Sequence, residues 1–285
     1  MAGQAKTLVV NADDFGLSES INRGMLSAHQ HGIASSASLM PNGNAFEDAV
    51  GTALETPTLG VGIHLCLVGE KCVAPVGDLG GMVTDDGSLP ASYTAFARQF
   101  LGKRFGAREV RVEIGAQIAR VLSAGIAPTH IDSHQHLHML HGIFEIVVEA
   151  ALGAGIPVIR VPLERGGPGP RGISARLIGT WVLSRICRSR LGQVRRAGLR
   201  TADWFWGLGV SGQMNEANLM ATLQRLQPGV NEIMCHPGIS DPETAQRYPW
   251  GYSWDDELAA LQSDSVRRFI EENNIRLASF ADAWR

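Results

Sequence analysis

A short histidine-rich stretch holds the residues most suited to chemistry. Residues 128–138 contain four of the nine histidines and one carboxylate. In an extended segment, side chains two apart share a face, so His130, Asp132 and His134 are expected to point the same way. Imidazoles and a carboxylate that converge on one side of a sheet form a donor set for Zn²⁺ or a similar divalent cation. A histidine-rich run on a solvated loop is the alternative interpretation of this segment alone.

Three other strand-like segments also lead into Asp or His. The apolar run 7–10 precedes the adjacent carboxylates Asp13 and Asp14, the run 59–63 precedes His64, and the run 231–234 precedes His236. In parallel α/β folds, ligand and catalytic groups collect at the carboxyl ends of strands. Four such ends favour one shared site over four unrelated residues.

The elements that must position these residues alternate between strand and helix. Apolar runs near 7–10, 34–40, 59–63 and 129–133 are separated by segments of helical periodicity, and the later chain continues in the same way. Alternation without internal repeats predicts a mainly parallel sheet of seven or eight strands. Because the candidate residues come from distant strands, a barrel explains their convergence better than an open sheet. We therefore expect one α/β domain over residues 1–285.

Two stretches depart from this alternation near the predicted strand ends. Residues 69–92 are rich in glycine and carry few periodic apolar residues, which predicts a long loop over the site. Its position favours a substrate lid. Residues 242–252 are predicted to form a second polar, aromatic loop near the same site.

A basic segment occupies residues 171–200, with eight arginines and no acidic residue. We interpret it as a helical insertion. A basic amphipathic helix can lie on an anionic membrane surface, and an ordinary helix packed on the barrel with a solvated basic face is the alternative. Downstream, Trp204 and Trp206 flank Phe205. Aromatic faces stack on sugar rings, but they also fill cores.

Bulk composition excludes several classes of protein. A hydrophobic content of 45% with 19% charged residues is ordinary for a soluble globular enzyme. The net charge of −3 argues against a nucleic-acid partner. No run approaches the roughly 18 residues that a membrane span requires, and no apolar signal-peptide core precedes the first strand. Four cysteines without a Cys-x-x-Cys pair argue against a thiolate zinc cage. We expect a cytoplasmic protein, peripheral at the inner membrane surface if the basic helix binds lipid.

Four motifs in this order resemble the YdjC-like carbohydrate deacetylases. They are Asn-Ala-Asp-Asp-Phe-Gly-Leu-Ser at 11–18, Gly-Ile-His-Leu at 62–65, Thr-His-Ile-Asp-Ser-His-Gln-His-Leu-His at 129–138 and Met-Cys-His-Pro-Gly at 234–238. The family includes chitooligosaccharide deacetylases and deacetylases associated with hopanoid biosynthesis. The resemblance implies a deformed (β/α) barrel of the glycoside hydrolase/deacetylase type.

The resemblance also implies roles, carried over by position. Asp14, His64 and His134 correspond to the ligands of one divalent metal ion, Zn²⁺ or Mg²⁺. Asp13 corresponds to the catalytic base and His236 to a general acid. Two imidazoles chemically favour zinc or another late transition ion.

Other residues are expected around this centre. Arg160 is expected to orient Asp13 or to bind substrate, with a salt bridge at the rim as the alternative, and Asp132 to fix an imidazole tautomer. The full set expected to bind substrate or support the ligands is Arg160, His130, Asp132, His138, Trp204 and Trp206.

The implied reaction removes the N-acetyl group of an N-acetylglucosamine-type sugar. Residues 197–208 and the basic segment resemble the hopanoid-associated branch, whereas residues 132–136 resemble the chitooligosaccharide branch. A glycolipid such as an acetylglucosaminyl hopanoid is therefore the first expectation, and a soluble chitooligosaccharide is the alternative. A metal phosphoesterase and a non-catalytic sugar-binding protein are more remote, and a homodimer is left open.

Overall fold

The computed structural model describes residues 5–165 and 175–285. Its centre is a parallel sheet with the spatial order β4-β3-β2-β1-β6-β5, and β7 pairs with the first half of β1. The strands are β1 (Lys6–Phe15), β2 (Ser36–Leu39), β3 (Gly60–Leu65), β4 (Ile131–Ser133), β5 (Trp204–Trp206), β6 (Gly229–Cys235) and β7 (Arg276–Leu277). Every pairing between these seven strands is parallel, as predicted.

The sheet curls toward a barrel, and an irregular segment links its two ends. Ile131 of β4 bonds to the backbone of residues 158 and 160, and the same segment bonds to Arg200, just before β5. Residues 156–162 therefore form isolated bridges rather than a regular strand. Pro157 and Pro162 explain this, because proline lacks the N–H that a regular ladder needs. The predicted deformed barrel is confirmed.

Helices cover the outer face of the sheet. They are α1 (Glu19–Gln30), α2 (Phe46–Glu55), α3 (Val76–Leu79), α4 (Tyr93–Leu101), α5 (Ala107–Ser123), α6 (Ile143–Gly153), α7 (Ala175–Arg196), α8 (Glu216–Leu223), α9 (Pro242–Arg247), α10 (Trp254–Gln262) and α11 (Asp264–Glu272). Two separate helices, α10 and α11, follow each other directly, because Ser263 ends α10 and caps α11. The predicted loop over 242–252 begins with α9, which Asp241 caps.

Residues 69–92 are packed rather than open. Glu113 of α5 accepts the backbone N–H groups of Val73 and Ala74 at 2.9 and 3.0 Å, and Leu79 and Met82 are buried. This segment contains α3 and a short 3₁₀ turn, which the sequence analysis did not predict. Whether it moves as a lid stays a prediction.

The basic segment contributes a helix that packs on the barrel. Cys187 and Val194 of α7 are buried, and Arg190 bonds to Glu145 of α6 at 2.6 Å. Residues 171–174, the start of the predicted insertion, lie outside the described residues. Over its later turns α7 therefore packs on the barrel, as the alternative interpretation of the basic segment expects. Among the described residues, no helix combines the length and apolar character needed to cross a membrane.

Candidate active site

The end of β1 delivers two adjacent carboxylates to one place. Consecutive strand residues normally point to opposite faces. The register of β1 against β2 shifts between Ala12 and Phe15, and Asp14 has a φ of +70° in the left-handed region. This irregularity turns both Asp13 and Asp14 toward the inside of the barrel.

Asp14, His64 and His134 form a buried group. The Asp14 Oδ1 atom lies 3.3 Å from His64 Nε2 and 2.9 Å from His134 Nδ1. One candidate ligand atom from each residue lies within 4.8 Å of the other two. His134 immediately precedes Gln135 and His136, both with a φ of +54°, and such strained positions cluster at functional sites.

Asp132 fixes the orientation of His64. Parallel pairing places Asp132 directly beside His64, and its Oδ1 atom lies 2.7 Å from His64 Nδ1. The other ring nitrogen, Nε2, therefore faces Asp14, and the role of Asp132 in fixing the tautomer stays a prediction. Burial lowers the pKa of His64, but the Asp132 and Asp14 carboxylates outweigh it and raise that pKa to about 10. The surroundings thus favour positive charge at this point.

These residues fit a divalent cation. Burial raises the pKa of Asp14, yet His134 and His64 outweigh this effect and hold it well below its ordinary value. The Asp14 Oδ2 atom is buried and has no hydrogen-bond partner among the described residues. A buried carboxylate oxygen without a partner is costly unless something else binds it. Two imidazoles and one carboxylate suit zinc or another late transition ion.

Arg160 joins three buried carboxylates. Its Nη1 and Nη2 atoms bond to both oxygens of Asp13 at 2.6 and 2.7 Å, and Nη1 also lies 2.8 Å from Asp132. The Nε atom donates to Glu232 at 2.6 Å. Arg160 is fully buried, so the alternative prediction of a salt bridge at the rim of the site is wrong. A bidentate pair of this kind holds a carboxylate in one orientation.

A second site residue, Glu232, was not predicted from the sequence. Burial raises its pKa to about 7, because the attraction of Arg160 only partly offsets the loss of hydration. The available signal was its position within a buried strand, because a charged side chain among the buried residues of β6 requires a buried partner.

His130 and His138 are buried around the site without belonging to the cluster. His130 lies against Phe280, with ring centroids 4.2 Å apart, and its Nε2 atom is 3.0 Å from Ser38 Oγ. Ser38 in turn donates to Asp132. His138 bridges Ser133 and the carbonyl of residue 160. Burial lowers the pKa of both histidines to about 4, so both are neutral supports for residues that touch the cluster.

His236 directly follows β6, and a hydrogen bond from its own backbone N–H holds it in place. Its N–H donates to the carboxylate of Glu257 in α10, and its ring lies 4.6 Å from that of Tyr252. The ring Nδ1 atom is 3.9 Å from the same carboxylate and has no hydrogen-bond partner in the described part of the chain. The sequence did not predict a role for Glu257. It shares a helical face with Trp254 and Leu261, a pattern that indicates burial.

The predicted substrate residues Trp204 and Trp206 are not brought to the cluster. The Trp206 ring is buried in the core with residues of α8 and its Nε1 atom donates to Asn231, and the half-buried Trp204 ring packs against the same core. Strand alternation instead turns Phe205 inward, where its ring lies 5.6 Å from the Arg160 guanidinium. Trp250 places an aromatic ring beside the cluster, 5.0 Å from the ring of His134.

The arrangement therefore combines three functions at the carboxyl ends of the strands. It offers an N/O cation site, a carboxylate held beside it by arginine, and an imidazole directly after strand β6. Such a set suits hydrolysis by an activated water with a separate proton donor.

Comparisons with known proteins agree with this architecture. The model of the family described as YdjC-like protein matches residues 7–272. A carbohydrate deacetylase of Clostridium beijerinckii is 31% identical over 96% of this chain and 99% of its own length. A chitooligosaccharide deacetylase of Proteus mirabilis is 30% identical over 98% and 99%. A crystal structure of a candidate cellobiose-phosphate cleavage protein from Enterococcus faecalis is 25% identical, covers 97% of this chain and 98% of its own, and superposes with a TM-score of 0.72. The chain belongs to the YdjC-like family.

Proposed function

We propose that the protein is a metal-dependent carbohydrate deacetylase that hydrolyses the N-acetyl group of an amino sugar. The observation that carries the proposal is the buried group of Asp14, His64 and His134 directly beside the Arg160-held Asp13. Relatives of this chain over nearly their whole length are named carbohydrate or chitooligosaccharide deacetylases, which supports the same reaction.

An amide resists hydrolysis because its carbonyl is a poor electrophile and an amine leaves poorly. A divalent cation held by Asp14, His64 and His134 would supply Lewis acidity that polarises the acetyl carbonyl and activates water. Asp13 accepts the proton of the attacking water in this proposal. Arg160 and Asn11 hold the Asp13 carboxylate in place. Its Oδ1 atom accepts a hydrogen bond from each of them, whereas Oδ2 accepts one from Arg160 and keeps a lone pair for that proton.

His236 then protonates the departing nitrogen. Glu257 fixes the backbone of His236 and lies near its Nδ1 atom, which leaves Nε2 as the nitrogen that faces away from this carboxylate. Tyr252 and Trp250 pack beside the two imidazoles His236 and His134 and exclude water from them.

Acetate release with loss of activity on chelation is the expected result with N-acetylated amino sugars. Incubation should yield equal amounts of acetate and free amine, and EDTA treatment should abolish turnover until Zn²⁺ or Mg²⁺ is added back. Enzymatic acetate assays and mass spectrometry of the sugar measure both. Phosphate release from a sugar phosphate, without acetate release, would indicate the phosphoesterase. Binding that chelation only weakens, with no product, would indicate a sugar-binding protein.

A lipid-linked substrate is the finer proposal that the exposed side of α7 favours. Arg188, Arg195 and Arg196 are exposed there, whereas Arg190 is paired in the interior and is not available to lipid. Each arginine near an anionic surface contributes about 1 kcal/mol, so changing these three to Gln should weaken vesicle binding by about 100-fold.

Sedimentation with phosphatidylserine vesicles at low salt measures this difference. The matched control replaces three exposed cations elsewhere, Arg98, Lys103 and Arg268. Equal loss in both variants would indicate general charge attraction, and no binding of the unchanged protein would favour a soluble substrate.

A further inference from the structure

A cavity of about 700 Å³ lies at the end of the barrel opposite the cluster. Three of its lining residues stand where strands begin: Ala5 precedes β1, Trp204 is the first residue of β5, and Gly229 is the first residue of β6. Because the strands are parallel, these positions mark the amino ends of the sheet. A strand rises about 3.3 Å per residue, so Ala5 and Asp13 stand about 25 Å apart along β1.

Apolar side chains separate the cavity from the cluster. Val9 lies between Ala5 and Asp13 along β1 and packs in a buried group with Val230 and Phe280. The Trp284 side chain, which lines the cavity, packs against the same group. A ligand in the cavity is therefore remote from the cluster and cannot be the acetylated sugar that reacts there.

Three arginines line the cavity without a carboxylate partner. They are Arg165, Arg195 and Arg200, and all three are exposed. None of them forms an ion pair with a carboxylate in the part of the chain that the structure describes. Surface arginines elsewhere, such as Arg111 and Arg120, pair with glutamates. The positive charge of the cavity is thus left for a ligand.

The charge of the wall matches that of a doubly charged anion. Among the described residues that line the cavity, the acidic one is Asp203, and its Oδ2 atom already accepts the backbone N–H of Val230 at 2.9 Å. Three guanidinium groups and one carboxylate give a net charge of +2. A phosphomonoester carries a charge of about −1.5 to −2 at pH 7.

Two tryptophan rings hold two of these arginines against the wall. The Arg165 guanidinium lies over the Trp204 ring, 5.1 Å from its centre, and the Arg200 guanidinium lies over the Trp284 ring at 5.6 Å. A guanidinium on an aromatic face keeps the N–H donors at its edge available. Such a fork matches the oxygens of a phosphate group and binds them with two hydrogen bonds.

The rest of the wall suits an organic group attached to the phosphate. Leu191, Leu199 and Pro228 supply apolar surface, and the volume is that of a site for a small molecule rather than for a single ion. Thr201 also lines the cavity, and its buried hydroxyl has no hydrogen-bond partner among the described residues. A ligand that bonds to this hydroxyl would remove the cost of leaving it unpaired.

We propose that this cavity binds a phosphomonoester, with Arg165, Arg195 and Arg200 around the phosphate and the apolar wall around its organic group. The site is separate from the proposed deacetylase centre, and the proposal does not rest on that function. A free small molecule and the head group of phosphatidic acid share this chemistry, and two measurements separate them.

Calorimetric titration of the full-length, metal-loaded protein with phenyl phosphate tests the site. Saturable binding of one equivalent is expected. Replacing both Arg165 and Arg200 with Gln should lower the affinity by about 10-fold or more, because hydrogen bonds to charged groups are lost. Acetate release from an N-acetylated amino sugar should stay within about 2-fold, since the cluster is unchanged. The matched control replaces the exposed Arg98 and Arg268, which do not line the cavity, and should keep the affinity.

Sedimentation with vesicles identifies the source of the phosphate. A preference for phosphatidic acid over phosphatidylserine at equal surface charge, lost in the Arg165/Arg200 variant, would assign the site to a lipid head group. Phenyl phosphate binding without that preference would assign it to a free small molecule. No saturable binding of either probe, equal affinity in the Arg165/Arg200 variant, or an equal loss in the control variant would overturn the proposal. Thermal melting shows whether both variants are folded.

Discussion

Replacing Asp13 with Asn should lower kcat by about 10²- to 10⁴-fold, the range that a general base typically contributes. The amide has nearly the same shape as the carboxylate but cannot accept the proton of water. Asp13 is not a member of the Asp14–His64–His134 group, so the metal content of the variant should stay unchanged. Turnover with an N-acetylated amino sugar and metal analysis after dialysis measure the two quantities.

The fold of Asp13→Asn should survive, because Arg160 keeps two other carboxylates. Asp132 and Glu232 remain bonded to the guanidinium, which avoids an unpaired buried charge. A circular dichroism melt tests this point. Full activity in a folded Asp13→Asn variant would remove Asp13 as the base, and loss of metal together with activity would place it among the ligands.

The barrel could be predicted from the sequence because its strands carry independent signals. Each strand is a short apolar run, and the strands that carry candidate site residues end in Asp, His or glycine, as Asp13, His64 and His236 show. Parallel pairing then brings those ends to one edge, whatever the sequence separation between them. The position of the site therefore follows from local patterns alone.

The partners of these residues could not be predicted in the same way. Arg160 meets Asp13 across 147 positions, and Glu257 meets His236 across α9 and its flanking loops. Such contacts depend on how the sheet curls, which no local pattern encodes. The face to which a strand side chain points is equally hidden: alternation pairs Trp204 with Trp206, but only the packing of α8 shows that Phe205 faces inward.

Replacing His64 with Ala should abolish both metal binding and turnover, in contrast to Asp13→Asn. His64 stands between Asp14 and Asp132, so its loss removes one of the three candidate ligands and leaves Asp14 with a single imidazole. A site with two protein ligands binds zinc weakly, because structural and catalytic zinc sites normally use three or four protein ligands. Metal content after dialysis and acetate release should both fall to background.

The variant Asp132→Asn provides the graded comparison. It keeps His64 but weakens the hydrogen bond that orients the ring, and partners of this kind typically contribute 10- to 100-fold in metal affinity. Titration with Zn²⁺ should therefore rank the unchanged protein above Asp132→Asn, and Asp132→Asn above His64→Ala, with turnover in Asp132→Asn recovering at high metal concentration. If His64→Ala instead binds metal as tightly as the unchanged protein, the cation is held elsewhere. The assignment of Asp14, His64 and His134 as its ligands then fails, because two of these ligands cannot give the affinity of all three.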